Sequence, residues 1–246
     1  MIKRDLHTHT TYSDGKASAE EMVLAAIDKG LDEIGISDHS YTFFDESYCM
    51  KREMIPSYVA EINALKKKYE GRIAVLCGVE QDLFSTESTV PFDYAIGSSH
   101  YLYAAGAYHP LDVKKETFVS ICRTYCDGDY YALAEAYFEQ MEGFAERSDV
   151  SIIGHLDLIT KYNEGNNLFD ETHPRFLAAA KHCIDVLSRA GKTFEINTGA
   201  MARGYRSAPY PGKKLLAYIK EKGAPLILSS DAHAPKNIAY AFKEIR

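Results

Sequence analysis

The chain has 246 residues, 46% of them hydrophobic, and a formal net charge of −7. That length and apolar content can fill the core of one large domain or two small ones, while the acidic balance argues against a coat for nucleic acid or an anionic membrane, both of which need broad basic faces. No apolar run approaches the roughly 20 residues of a membrane span, the start MIKRDLHTHT is no signal peptide, and five scattered cysteines, an odd number, fit a reduced, cytoplasmic chain.

Seven short apolar runs read as buried strands. They are residues 2–7 (IKRDLH), 32–37 (DEIGIS), 73–80 (IAVLCGVE), 93–99 (DYAIGSS), 151–158 (SIIGHLDL), 193–199 (TFEINTG) and 225–231 (PLILSSD). Helical patterns fall between most of them. In the first, Ser18 is placed to cap, Glu21 completes a capping box and Gly30 ends the helix. Met22 and Ala26, then Val23 and Ile27, lie one turn apart on its single apolar face. Helical stretches over 56–70, 114–147, 173–190 and 212–222 continue the alternation. Cys122 and Cys126 lie one turn apart in the longest of these. With no second pair of soft ligands nearby, they read as packing residues rather than a zinc site. Alternation of this kind implies a parallel sheet, and seven repeats over this length imply a closed or nearly closed barrel. No linker or low-complexity segment breaks it, so the expectation is a single α/β domain spanning residues 1–246.

The ends of these strands carry the chemistry. The first runs into His7 and His9 and the second into Asp38-His39. The third stops at Glu80 and the fourth at His100, the fifth carries His155, and the seventh runs into Asp231 and His233. In a βα barrel the C-terminal strand ends meet on one rim, so residues spread along the whole chain are expected to converge. Of nine histidines, His109, His173 and His182 fall in loops or helices and read as ordinary. The other six fall at strand ends. Burying six imidazoles beside carboxylates is costly unless cations neutralise the site, and neutral imidazole plus carboxylate is a ligand set for divalent ions. With Asp14, Glu80 and Asp231 there are nine candidate ligands. One ion uses about four to six, so two to three ions per chain are expected, of a kind (zinc, manganese or iron) that these ligands suit alike.

In order along the chain, HTHTTYSDG, GISDHS, GVE, SSHYL, GHLDL and SSDAH resemble the motifs of the PHP (polymerase and histidinol phosphatase) superfamily. Its stand-alone histidinol-phosphatase group is the nearest match, by chain length and by the segments GHLDLITKY and EINTGAMARGYRSAPYP. The resemblance implies a distorted (βα)7 TIM-like barrel and a trinuclear metal centre. Position by position it implies His7, His9, Glu80 and Asp231 around a first ion, Glu80 bridging to a second held by His100 and His155, and Asp14, His39 and His233 around a third. It also implies L-histidinol phosphate as substrate, in histidine biosynthesis.

Closely spaced divalent ions make hydroxide available from a bridging water at neutral pH and neutralise charge on a phosphoryl group. The expected reaction is therefore direct attack on a phosphomonoester, with Glu80, Asp231 and His233 as the catalytic side chains and Asp231 accepting or relaying the proton. Arg203, and second to it Lys161, are expected to hold the phosphate from outside the ligand set. Some members of the family carry an arginine where this chain has Thr160, while Arg206 and the tyrosines of 101–137 are further candidates to shape the pocket. The expected partner is a small phosphorylated substrate, with neither nucleic acid nor membrane. Two other readings are a PHP-type nuclease or nucleotide phosphodiesterase, against which the acidic total weighs, and a non-catalytic metal-binding module, against which the absence of cysteine from the ligand set weighs.

Overall fold

A computed structural model describes residues 3–245; Ile2, where the first predicted strand begins, lies outside them. The strands are β1 (Arg4–Asp5), β2 (Glu33–Ile36), β3 (Ala74–Asp82), β4 (Tyr94–Ser98), β5 (Tyr101–Ala104), β6 (Ala107–Pro110), β7 (Ile152–Ile153), β8 (Thr193–Asn197) and β9 (Leu226–Ser229). Seven of them form one sheet in the order β1-β2-β3-β4-β7-β8-β9, every neighbouring pair parallel. These are the seven strands read from the sequence. The sheet curls until its edges meet. Thr8 and Ala232 form a parallel bridge, and the Asp5 carboxylate accepts from the Ser230 amide at 3.0 Å. The result is a nearly closed, distorted (βα)7 barrel.

Two strands, β1 and β7, are cut to two residues each. The ladder of β7 ends at Ile153 because the His155 amide turns inward to Glu195 Oε2 (3.1 Å) and Leu158 N closes a turn onto the His155 carbonyl (2.9 Å). The ladder of β1 ends at Asp5, yet the chain stays extended through the Thr8 bridge. The antiparallel hairpin of β5 and β6 was not anticipated. Its two-residue turn, Ala105-Gly106, has φ of 50° and 78°, the primed geometry that matches strand twist.

The helices are α1 (Ala19–Asp28), α2 (Ile55–Lys68), α3 (Lys115–Tyr125), α4 (Tyr130–Met141), α5 (Pro174–Arg189), α6 (Gly199–Ala202) and α7 (Lys213–Glu221). In α1 the capping box is present in full. Beyond its last turn Gly30 adopts φ 69°, with Gly30 N bonded to Ile27 O and Leu31 N to Ala26 O, a Schellman end. The stretch 114–147 is two helices and a 3₁₀ turn rather than one. Asp127 and Gly128 take positive φ, and Asp129 then caps α4 by accepting from Tyr131 N and Ala132 N. Cys122 is buried in the core, where it packs with Phe118 and Ile121. No helix among the described residues is long and apolar enough to cross a membrane.

Two apolar clusters lie between barrel and helices. One is built on α1 and α2 with Ile34, Ile36 and Cys77, the other on α4, α5 and α7 with Ile153 and Phe194. A small third cluster, Leu6, Ile96 and Ile152 with Leu76, Tyr94 and Ile227 against it, fills the barrel interior. Alternate residues of a strand share a face. On β3 that face reads Leu76, Gly78, Glu80, running from an apolar floor through a residue without a side chain to a carboxylate. Gly35 and Gly78 leave the room into which the Tyr94 ring fits, since a Cβ at either position would overlap it, and the Tyr94 hydroxyl bonds to the Leu6 carbonyl.

A methyl group at Gly78 would come within 2.2–2.5 Å of the Tyr94 ring and hydroxyl, whereas one at Gly143 would meet just Leu83 Cδ1 at 3.4 Å. We expect Gly78→Ala to cost about 1–3 kcal/mol by urea unfolding, as overpacking does, and Gly143→Ala to cost much less. Equal effects would show that Tyr94 does not depend on that glycine.

Candidate metal centre and active-site pocket

All nine residues singled out as ligands meet on the C-terminal rim. Glu80, at the end of β3, is central. Its Oε2 stands 3.3 Å from His7 Nε2, 3.5 Å from His9 Nε2 and 2.8 Å from His39 Nδ1. Its Oε1 stands 2.9 Å from His155 Nε2 and 3.5 Å from His100 Nε2. Asp231 Oδ1 lies 3.3 Å from His9 Nε2 and 3.9 Å from His7 Nε2. On the outer side Asp14 approaches His233 Nε2 at 3.2 Å and His39 Nε2 at 3.6 Å. His7, His9 and Glu80 are at most 1% exposed.

These residues fit metal ions on two counts. His7 Nε2, His9 Nε2 and Glu80 Oε2 are buried and make no hydrogen bond, although they face one another. Buried polar atoms are nearly always hydrogen-bonded, so such a gathering marks donors aimed at a cation. The spacing agrees as well: two ligand atoms on one tetrahedral zinc, with bonds of about 2.0–2.1 Å, stand about 3.3 Å apart. Three overlapping groups bring one ligand atom from each residue within 4.8 Å of one another: His9, Asp14, His39 and His233; His7, His9 and Glu80; and His39, Glu80 and His100.

The electrostatics show the same demand for positive charge. Burial works against ionising Glu80, but His7, His39 and His100 hold its carboxyl well below the usual range. Asp231 is likewise held low, against burial, by Arg203 and His7. Burial and the neighbouring His233 and His39 push His9 down to about 3. His39 goes the other way, to about 10, because Glu80 and Asp14 outweigh its burial.

Carboxylates behind the cluster aim it. Glu195, central in β8, brings Oε1 to 2.7 Å from His7 Nδ1, while its Oε2 accepts from the His155 amide and from Asn197 Nδ2 (3.0 Å). Asp82, two residues beyond Glu80, brings Oδ2 to 3.2 Å from His100 Nδ1. Asp38 accepts from Thr10 N (2.8 Å), Thr10 Oγ1 (2.7 Å), Ser13 N (3.2 Å) and Ser13 Oγ (2.5 Å), and so folds the loop that presents Asp14. The loop passes so close to itself at Gly15 that a Cβ would sit 2.5 Å from the His9 carbonyl. None of these carboxylates stood among the candidate site residues. The available signals were a glutamate inside an apolar strand, an aspartate two residues after Glu80, and the aspartate beside His39. Asp231 itself has φ 49°, and Gly199 makes room for its carboxylate; strained backbone of this kind is held only where surrounding structure enforces it.

A cavity of about 350 Å³ opens beside the cluster, and both Arg203 and Lys161 line it. Arg203 lies outside the ligand set but is tied to it. Its Nη2 donates to Asp231 Oδ2 at 2.9 Å and its Nη1 lies 3.1 Å from His233 Nδ1. Lys161 Nζ donates to the Asp112 carbonyl at 2.7 Å and sits 4.9 Å over the Tyr205 ring. Arg206 does not line the cavity. It donates to the Thr160 carbonyl (2.6 Å) and to Glu171 (2.7 Å). Of the tyrosines in 101–137 only Tyr101 reaches the cavity wall, joined there by Tyr48 and Tyr205.

Comparison with known proteins places these residues in a wider set. The family model described as PHP domain matches residues 5–199. The chain is 32% identical to the "Probable histidinol-phosphatase" of Deinococcus radiodurans, over 98% of this chain and 92% of that one. Among solved structures, a histidinol phosphatase candidate from Listeria monocytogenes superposes with a TM-score of 0.87 at 23% identity, covering 99% of this chain and all of the other. The histidinol phosphate phosphatase of Lactococcus lactis, solved with zinc, L-histidinol and phosphate, superposes with a TM-score of 0.70 at 19% identity, covering 99% and 91%.

Asp38 gathers four donors onto one buried carboxylate. Asn cannot accept from all four. Since a hydrogen bond to a charged group is worth about 1.5–3 kcal/mol, Asp38→Asn should destabilise the fold by about 2–4 kcal/mol in denaturant titration, and hydrogen exchange at Ser13 and Asp14 should quicken. Unchanged stability would show that the loop holds its shape without this carboxylate.

Proposed function

The chain belongs to the PHP domain family, in its histidinol-phosphatase group, and on that premise we propose that it is a metal-dependent phosphomonoesterase that hydrolyses L-histidinol phosphate to L-histidinol and phosphate. The observation that carries this reading is the set of buried, unbonded imidazole and carboxylate atoms opening onto a cavity of substrate size. The Lactococcus lactis protein of the same fold, holding zinc, L-histidinol and phosphate, supports it.

Two to three divalent ions per chain, of the zinc, manganese or iron class, are assigned to three ligand groups. His7, His9, Asp231 and Glu80 Oε2 form the first. Glu80 Oε1, His100 and His155 form the second. Asp14, His39 and His233 form the third. When bound, such ions lower the pKa of water and offset charge on the phosphoryl group.

The chain's own residues do the rest. Glu80 offers one oxygen to each of two groups, so it fixes their separation. Arg203 holds Asp231 Oδ2 and leaves Oδ1 facing the cluster, where it is placed to take a proton from the attacking water and return it to the alcohol oxygen as the ester P–O bond breaks. His233, which would hold the third ion through Nε2, keeps Nδ1 3.0 Å from the Asp231 carbonyl and 3.5 Å from Oδ1, and so orients that acid. Arg203 and Lys161 supply the cations of the cavity wall that hold and orient the phosphate.

Phosphate release from a panel of histidinol phosphate, nucleotides and a single-stranded oligonucleotide tests the reading. Histidinol phosphate should be preferred, and hydrolysis confined to the oligonucleotide would replace it with a nuclease. Elemental analysis of protein purified without chelator should find two to three ions, and chelation should abolish turnover. One ion or fewer, unchanged by added metal, would remove the multinuclear centre.

Glu80→Gln should lower kcat/KM by roughly a thousand-fold, the effect of losing several kcal/mol of charge stabilisation, while the fold survives, because the barrel core does not use this side chain. Arg203→Ala should lower kcat/KM by roughly ten- to a hundred-fold, as loss of one charged hydrogen bond does. Because Arg203 also steadies Asp231, metal content should be measured alongside.

A further inference from the structure

Two carboxylates line the cavity without belonging to the metal cluster, Asp45 and Asp112. Asp45 is fully engaged. Its Oδ1 accepts from Ser47 N (3.0 Å) and Ser47 Oγ (2.6 Å), and its Oδ2 from the Tyr101 hydroxyl (2.7 Å). Asp112 differs. Its backbone carbonyl makes the close bonds, to Lys161 Nζ at 2.7 Å and to the Tyr162 hydroxyl at 2.6 Å. The carboxylate meets Lys161 only at 3.3 Å, through Oδ2, and the side chain is 27% exposed. Burial opposes its ionisation, but Lys161 and His100 keep the carboxyl below its ordinary range. A carboxylate paired with Lys161 through Oδ2 alone thus lines the cavity beside the cations proposed to hold the phosphate.

For a plain phosphate ester that charge is a repulsion. It becomes an attraction when the ester carries a cation within a few ångströms of the phosphate, because a like charge across a recognition site disfavours the wrong ligand while an opposite charge favours the right one. We propose that Asp112 is a specificity-determining residue that receives the ammonium group of an amino-alcohol phosphate, in which the cation sits on the carbon next to the ester carbon. The inference rests on the phosphomonoesterase reading and names the part of the leaving alcohol that this chain selects. It also accounts for an acid on the wall of an anion site. Lys161 is anchored mainly by the carbonyl, so the carboxylate is not needed to hold it.

The test compares wild type with Asp112→Asn on two substrates, L-histidinol phosphate and its amine-free analogue 3-(imidazol-4-yl)propyl phosphate. The Asn side chain keeps the shape and leaves the carbonyl anchor of Lys161 in place. Asp112→Ser, with melting temperature recorded, serves if Asn fails to fold. Expected is a fall in kcat/KM of roughly ten-fold or more for histidinol phosphate, the effect of losing a charged hydrogen bond, with the amine-free ester unchanged or faster. An equal fall on both substrates, or a fall on neither, overturns the inference and leaves the phosphatase reading standing. Failure of the wild type to hydrolyse either ester overturns both.

Discussion

Glu80 stands 2.8–3.5 Å from five imidazoles, and the cost of keeping that carboxylate and its neighbours out of water organises the rest of the molecule. A buried charge is tolerated only when paired and hydrogen-bonded. The barrel answers by placing the cluster where seven strand ends converge. Below it lies an apolar floor of Leu6, Ile96 and Ile152, with Tyr94 across two glycines. The polar rim can therefore be crowded because the layer beneath it is closed and dry.

Glu195 and Asp231 share a habit. Each turns one oxygen toward an imidazole and fixes the other to something rigid. Glu195 does so with the His155 amide, and Asp231 does so with Arg203. A ligand imidazole whose far nitrogen is held by a carboxylate has its ring plane and proton position set, which sharpens its aim and raises its basicity. His7 is held this way by Glu195 and His100 by Asp82. His9 has no such partner, and its Nδ1 is also unbonded. It lies instead stacked on His233 at 4.2 Å and tilted against His39 at 4.3 Å.

What was legible in the sequence was residue type at strand ends. Six histidines and three carboxylates in those places imply convergence because a βα barrel has only one rim for them to share. The capping box and Gly30 fixed α1 for a local reason, since both signals sit within three or four residues of what they control. The supporting roles were hidden because they are long-range. Glu195 serves a histidine 188 residues away, and Arg203 an aspartate 28 residues on. Glu195 stands out only as a charge inside an apolar strand and Arg203 only as a rim cation, and neither signal names the partner it holds. The break at Asp127-Gly128 and the turn at Ala105-Gly106 were missed for a different reason: aromatic and helix-forming residues on both sides masked a pair of positive-φ positions.

The closure of the barrel by Thr8 and Ala232, with Asp5 bound to Ser230 across 225 positions, has a consequence for the chain as it is made. His7 and His9 leave the ribosome more than 220 residues ahead of Asp231 and His233. Until they arrive, the first strand has one open edge and Glu80 faces a half-built set of partners. An apolar interior can collapse early around β3 and β4, and Glu80, His100 and His155 can meet without the last strand, but the groups around His7, His9 and Asp14 have no partial form, because each also needs Asp231 or His233. On the proposed metal-dependent reading, ion binding is then a late event that pins the first and last strands together, and it stabilises the finished barrel over every shorter nascent chain.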